Sequence, residues 1–148
     1  MPLWQHKSEN LTSLISVKLH MPACFLESIT AQTETLIDIN DKTLMAGLSC
    51  GEVSQLAWEL LKPALLHYLS IDDAAVAPLM ARFADGTIGG VEIEAGECAT
   101  SGLAALFAAK PDPQYWQNLG FNACSVILLI GSEGAIDADL HTQLTSLG

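Results

Sequence analysis

The sequence predicts an α/β protein: a mostly parallel sheet of about four strands with helices on both faces, in three layers. Three observations lead there. Short strand-like runs alternate with helical stretches of roughly ten to fifteen residues, the pattern of βαβ units. The run Cys124-Ser125-Val126-Ile127-Leu128-Leu129-Ile130 is apolar on both faces, as a strand in the middle of a parallel sheet is. The chain has 148 residues, half of them apolar, enough for one core of ordinary size.

The elements follow in order. Ser16-Val17-Lys18-Leu19-His20-Met21 alternates well enough for a short strand. Pro22 to Ile29 then reads as a helix, with Pro at its first position and Phe25, Leu26 and Ile29 on one face. Gly51 to Leu61 is a second helix, ended near Pro63, with Leu56, Leu60 and Val53 on its buried stripe. Leu65 to Ile71 is a strand, stopped by Asp72-Asp73, an oxygen-bearing cap for a helix from Ala74 to Phe83. The glycines of Asp85-Gly86-Thr87-Ile88-Gly89-Gly90 make a loop, and Val91-Glu92-Ile93-Glu94 reads as a strand near a sheet edge. Cys98 to Ala109 is a helix of small residues, interrupted by Pro111 and Pro113. A helical turn at Tyr115 to Gly120, the strand at Cys124 to Ile130 and a last helix capped by Asp137 complete the chain.

Composition narrows the function. Six Lys and Arg against seventeen Asp and Glu give a net charge of −11, which excludes nucleic acid and anionic membranes as partners. Only 16% of residues are charged, where about 25% is usual, and mean hydropathy is +0.34. Some apolar surface is therefore expected to meet a partner. Intrinsic disorder is excluded, because disordered chains are poor in apolar residues. The polar start of the chain carries no secretory signal, and no apolar run reaches the roughly 18 residues of a membrane span, so a cytoplasmic location is expected. Cys24, Cys50, Cys98 and Cys124 are far apart, without a C-x-x-C, and are expected to be reduced and mostly buried. The acidic residues are spread along the chain as a solvated surface, and no metal site is expected.

Ligands of open α/β sheets bind beyond the carboxyl ends of strands, which singles out two turns. Gly96-Glu97-Cys98-Ala99-Thr100 leads from a strand into a helix N-terminus, and Gly131-Ser132-Glu133-Gly134 follows the most apolar strand. Backbone N–H groups there favour an anion or an electron-rich ring atom. The plainer reading of each is a βα turn with a capping side chain. His20, His67 and His141 are isolated and assemble no triad; a single histidine in an apolar strand, as His67 is, is more often a core residue than a base.

Thr43-Leu44-Met45-Ala46-Gly47-Leu48-Ser49-Cys50-Gly51-Glu52, followed by Trp58-Glu59-Leu60-Leu61, resembles the M-A-G-L-x-C-G-E…W-E-[IL]-L segment of the diaminopropionate ammonia-lyases. These are pyridoxal-phosphate enzymes of the tryptophan-synthase-β-like, fold type II group. Gly96 to Thr100 is similar to that family's G-E-S-G-A, and Val126 to Asp137 to its L-L-I-S-T-E-G-x-T-D. The resemblance runs from about Ala23 to Asp137, so residues 16–148 read as one α/β domain and residues 1–15 as an unassigned extension.

The resemblance implies the C-terminal part of a longer enzyme that acts by β-elimination on 2,3-diaminopropionate. The Schiff-base lysine, its acid/base aspartates and the phosphate loop belong to earlier segments. Lys7, Lys18, Lys42, Lys62 and Lys110 stand in none of that context. No catalytic residue is therefore expected, and pyridoxal 5'-phosphate is not expected to be held by this chain alone. Cofactor-side residues carried over as vestiges are Cys98, at the position whose Ser or Cys bonds the pyridine nitrogen in related enzymes, with Gly96, Glu97 and Ser132. The bulkier Ala99 and Thr100, and Gly131-Ser132 in place of Ser-Thr, depart from the family pattern. Three functional readings follow: a truncated or degenerate lyase relative, one half of a split lyase, or a non-catalytic interaction or small-ligand module. Each leaves apolar faces to cover, so a homo-oligomer, a dimer, is expected, with a missing half or a full-length relative as further partners.

Overall fold

The structure, a computed structural model, describes residues 13–19, 23–40 and 42–147. Two strands and six α-helices lie among them: β1 (Leu14–Leu19), α1 (Cys24–Ala31), α2 (Gln55–Leu61), β2 (Leu65–Ile71), α3 (Val76–Ala84), α4 (Ser101–Ala109), α5 (Pro113–Asn118) and α6 (Ala138–Thr145). The described residues gather into two compact units, one built from residues up to Lys42 and from Gly47–Ser70, the other from Thr43–Ala46 and Ile71 onward.

In the first unit, β1 and β2 pair as a two-stranded parallel sheet. Phe25 of α1 and Trp58 of α2 meet edge to face, with ring centroids 5.7 Å apart, and are buried with Cys24 and Val53. Ile29, Ile37, Leu61, Leu65 and Tyr68 close around them. The Lys62 ammonium lies 4.5 Å from the Trp58 ring centroid and donates to the Gln32 carbonyl at 3.0 Å, tying the ends of the two helices. Ser28, fully buried, accepts the Thr35 N–H at 2.8 Å and turns the chain back after α1. The Tyr68 hydroxyl is buried with no hydrogen-bond partner. That burial, with Cys24 as a lesser cause, holds its pKa well above the usual range for tyrosine.

In the second unit, Asp72 accepts the Ala74 N–H at 2.8 Å and opens a 3₁₀ turn, Asp73–Ala75, that runs into α3. Helix α3 packs on α6 and α4, and α4 packs on α5. The small residues of α4 allow this close approach, with Ala104, Ala105 and Ala109 buried beside Leu103. Side-chain caps hold these helices. Asp112 accepts the N–H groups of Gln114 and Tyr115 ahead of α5, and Asp137 accepts that of Leu140 in α6. Gly120, at φ +78°, ends α5 in the left-handed region, where glycine is unstrained. Asp73 accepts from the Thr43 hydroxyl at 2.8 Å and the Leu44 N–H at 2.9 Å, which places Met45 fully buried in this unit.

Several expectations change. A two-stranded sheet stands where about four strands were expected. Val91 to Glu94 and Cys124 to Ile130 form no ladder, because strands need partners and neither segment finds one among the described residues. Helix α2 starts at Gln55, after the Ser54 cap, and not at Gly51. Its buried residue is Trp58, whereas Leu56 and Leu60 are 66% and 46% exposed; the indole, the largest side chain on the helix, takes the inward face. Helix α5 begins at Pro113, which starts a helix and does not merely break one, since a first-turn N–H has no intrahelical partner to lose. Of the cysteines, Cys24 is buried and Cys98 half-buried, but Cys50 and Cys124 are exposed, and no disulfide joins them. Met21, His20 and Pro22 lie outside the described residues, as does most of the N-terminal extension. Among the described residues no helix is long and apolar enough to cross a membrane.

Candidate functional site

The two turns singled out by sequence meet. The Gly96 N–H donates to the Glu133 carbonyl at 3.0 Å, and the Cys98 N–H donates to the Glu133 carboxylate at 2.6 Å. Cys98 opens a 3₁₀ turn, Cys98–Thr100, that continues into α4, so this carboxylate sits at the start of the helical run. A negative charge there is favoured both by the unpaired N–H groups of a helical start and by the direction of the peptide dipoles. The turn is closed internally as well: the Glu97 carbonyl accepts the Thr100 hydroxyl at 2.7 Å, and Thr100 is fully buried.

Glycine is required for the approach. A Cβ at Gly96 would stand 2.5 Å from the Gly134 carbonyl oxygen and 2.7 Å from Glu133 Cγ. At Gly102 a Cβ would stand 2.9 Å from Leu129 Cδ2, which brings the apolar run before the second turn directly onto α4. Beside these, a Cβ at Gly131 would lie 3.3 Å from that of Ala99.

The structure thus brings Gly96 and Cys98 together around Glu133. Glu97 contributes its backbone carbonyl, and Ser132 is exposed to solvent in the facing turn. Glu133 is the residue that the candidate set of Cys98, Gly96, Glu97 and Ser132 left out. Its signal was available: an acidic side chain in one turn is the natural occupant of a helix start in the other. His67 is half-buried in β2, and the Nε2 atom of His141 in α6 is buried with no hydrogen-bond partner among the described residues.

No family model matches the chain. It is 34% identical to diaminopropionate ammonia-lyase of Escherichia coli K12 over 105 residues, 69% of this chain and 26% of the enzyme. The enzyme of Salmonella typhimurium is 25% identical over 143 residues, 92% of this chain and 35% of that one. The crystal structure of holo diaminopropionate ammonia lyase from Escherichia coli superposes with a TM-score of 0.76 and 27% identity, covering 90% of this chain and 33% of that one. The chain is a homologue of part of diaminopropionate ammonia-lyase. It spans about a quarter to a third of the length of these lyases.

The lyase homology implies pyridoxal phosphate for the family. The cluster does not fit the whole of that group. The helix-start N–H at Cys98 is taken by the Glu133 carboxylate, and both Glu97 and Glu133 stand at acidic positions of the lyase motifs, so neither is a departure from the family. Within this unit the Lys and Arg side chains are Arg82 and Lys110. Arg82 lies 5.3 Å from the Phe107 ring centroid, and Lys110 caps the C-terminus of α4. Both attach to the far part of α4, about 14–18 Å along the helical run from Cys98 at 1.5 Å per residue. Among the described residues of this unit, a phosphate dianion would find acidic residues and no cation at the turn pair, and an aldehyde would find no amine.

Proposed function

We propose that this chain is a truncated or degenerate relative of diaminopropionate ammonia-lyase that does not carry out pyridoxal-dependent β-elimination by itself. The observation that carries the reading is that, within the unit that holds the turn pair, the one lysine, Lys110, stands at the far end of α4 from Cys98. Gly96, Glu97, Cys98 and Ser132 are the vestige of the wall that faces the pyridine ring in the parent enzyme. The chemistry of the cofactor needs an amine to hold it and a base at the α-proton. This turn pair offers no amine, and its Glu133 carboxylate is engaged by the Cys98 N–H. The reading includes a cytoplasmic location and, for the chain in isolation, a homodimer that shelters part of its exposed apolar surface.

The test uses the purified chain. It is mixed with pyridoxal phosphate, its visible spectrum is followed, and it is treated with borohydride and mapped for phosphopyridoxyl-lysine. Ammonia release from 2,3-diaminopropionate is measured in parallel. The expected result is neither a lysine-specific adduct nor ammonia. A stoichiometric adduct on one lysine overturns the proposal.

A second reading, one half of a split lyase, is favoured by a different observation. Val126, Leu128 and Ile130 are 97%, 83% and 83% exposed. Three apolar side chains in one row so fully in water are unusual for a finished surface.

A further inference from the structure

We infer that Val126–Ser132 is a docking strand for a polypeptide that carries the remainder of the lyase fold and adds β-strands along its edges. This rests on the reading of the chain as part of a lyase and names the partner of that part. The backbone argues first. Residues 126–132 exchange no backbone hydrogen bond with any described residue, although the preceding Ser125 and the following Glu133 both do. Seven consecutive peptide units with no described partner for their donors and acceptors on either edge form a template for strand addition.

The side chains argue the same way. Exposure along the run alternates with the period of a strand: Val126, Leu128 and Ile130 point to solvent, and Ile127 and Leu129 are more covered. Leu129 is seated over Gly102 of α4, so the inward face is already occupied. Open positions are the two edges and the outward row. The edges also lack the devices that discourage pairing: Phe121 to Ser132 contains no charged residue and no proline.

The comparison selects the occupant. Nearly all of this chain, 90%, superposes on a third of the solved lyase, which leaves two thirds of that fold with no counterpart here. A polypeptide of that kind can supply strands to both edges and a layer over the outward row. A second copy of this chain does less. Two-fold pairing of the segment with itself satisfies one edge, leaves the other open and places two outward apolar rows side by side. Each copy also carries a net charge of −11, which opposes close approach. Self-association is therefore the weaker state, displaced when the complementary polypeptide is present.

The experiment co-expresses this full chain with a separately tagged polypeptide, the portion of the Escherichia coli lyase that lies outside the aligned third. The readouts are light scattering of the purified assembly and hydrogen exchange at Val126 to Ile130. The expected result is a soluble 1:1 complex in which exchange at these amides slows at least tenfold. Val126→Glu with Ile130→Glu should abolish the complex and leave the circular dichroism of this chain unchanged, because both side chains are in water. Failure to bring the lyase portion into a soluble complex overturns the inference. So does protection elsewhere than 126–130, or a homodimer protected at this segment that the lyase portion does not displace. Catalytic competence is read separately by the pyridoxal and ammonia assays on the chain alone, so failure of one conclusion is distinguishable from failure of the other.

Discussion

Replacing Gly96 by alanine puts a methyl carbon where the two turns touch. At 2.5 Å from the Gly134 oxygen and 2.7 Å from Glu133 Cγ, it is closer than the roughly 3.5 Å at which such atoms rest. The turns must part by about 1 Å, and the carbonyl of Gly134, being backbone, cannot swing aside as a side-chain tip could. The displacement acts on the bonds that bridge the turns, Gly96 N–H to Glu133 O at 3.0 Å and Cys98 N–H to the Glu133 carboxylate at 2.6 Å. Overpacking costs about 1–3 kcal/mol. Losing a neutral hydrogen bond costs about 1 kcal/mol and a charged one about 1.5–3 kcal/mol. These losses overlap, since relief of the clash is what breaks the bonds, so a net cost of about 3 kcal/mol is expected.

Urea unfolding followed by circular dichroism reads this as a midpoint lowered by about 1.5 M, for a slope of about 2 kcal/mol/M. Hydrogen exchange places the loss at the start of α4. In a Glu133→Ala background the same Gly96→Ala change should cost about 1 kcal/mol less, because the clash with Cγ and the carboxylate bond are already gone. A Gly96→Ala cost below about 0.5 kcal/mol with an unchanged slope would refute the juxtaposition of the turns.

Three further outcomes are expected. Tyr68→Phe removes a buried hydroxyl that has no partner, so urea unfolding near neutral pH should show equal or greater stability, by up to about 1 kcal/mol, and a loss beyond that would mean the hydroxyl is bonded. Because the native pKa of Tyr68 is raised, its contribution is intact below the usual tyrosine value near 10 and is lost as pH rises further; the wild-type protein should lose stability above that point more steeply than Tyr68→Phe, and parallel curves would contradict the burial. Asp73→Ala frees the Thr43 hydroxyl and the Leu44 N–H, at a cost of about 1–3 kcal/mol and with faster exchange of the Leu44 amide; unchanged exchange would show that the segment is held by other means.

Local chemistry was legible in the sequence, and pairing was not. The strand Leu65–Ile71 and the caps Asp72 and Asp137 are legible in the sequence, because a short leucine-rich run closed by a capping carboxylate, like the carboxylate itself, acts within a few residues of itself. Both turns of the candidate site were found, but not that they close on each other through Glu133, a contact across 35 residues. The run Cys124 to Ile130 was read correctly as apolar on both faces and wrongly as a paired strand, since a ladder depends on neighbours that composition does not reveal. Leu56 and Leu60 were placed inward by period alone; helical period identifies a face, and the partner decides which face is buried.

The fastening of Thr43–Ala46 by Asp73 has a consequence for how the chain can be divided. This short stretch belongs to the second unit, while the chain on either side of it belongs to the first. The polypeptide therefore passes between the units three times. A single cut after Ser70 cannot release the second unit whole, because its buried Met45 would stay with the other piece. Any dissection that respects both cores has to be a deletion and rejoining, or a circular permutation that carries residues 43–46 along, and a protease acting at one exposed loop should yield nicked protein that stays together.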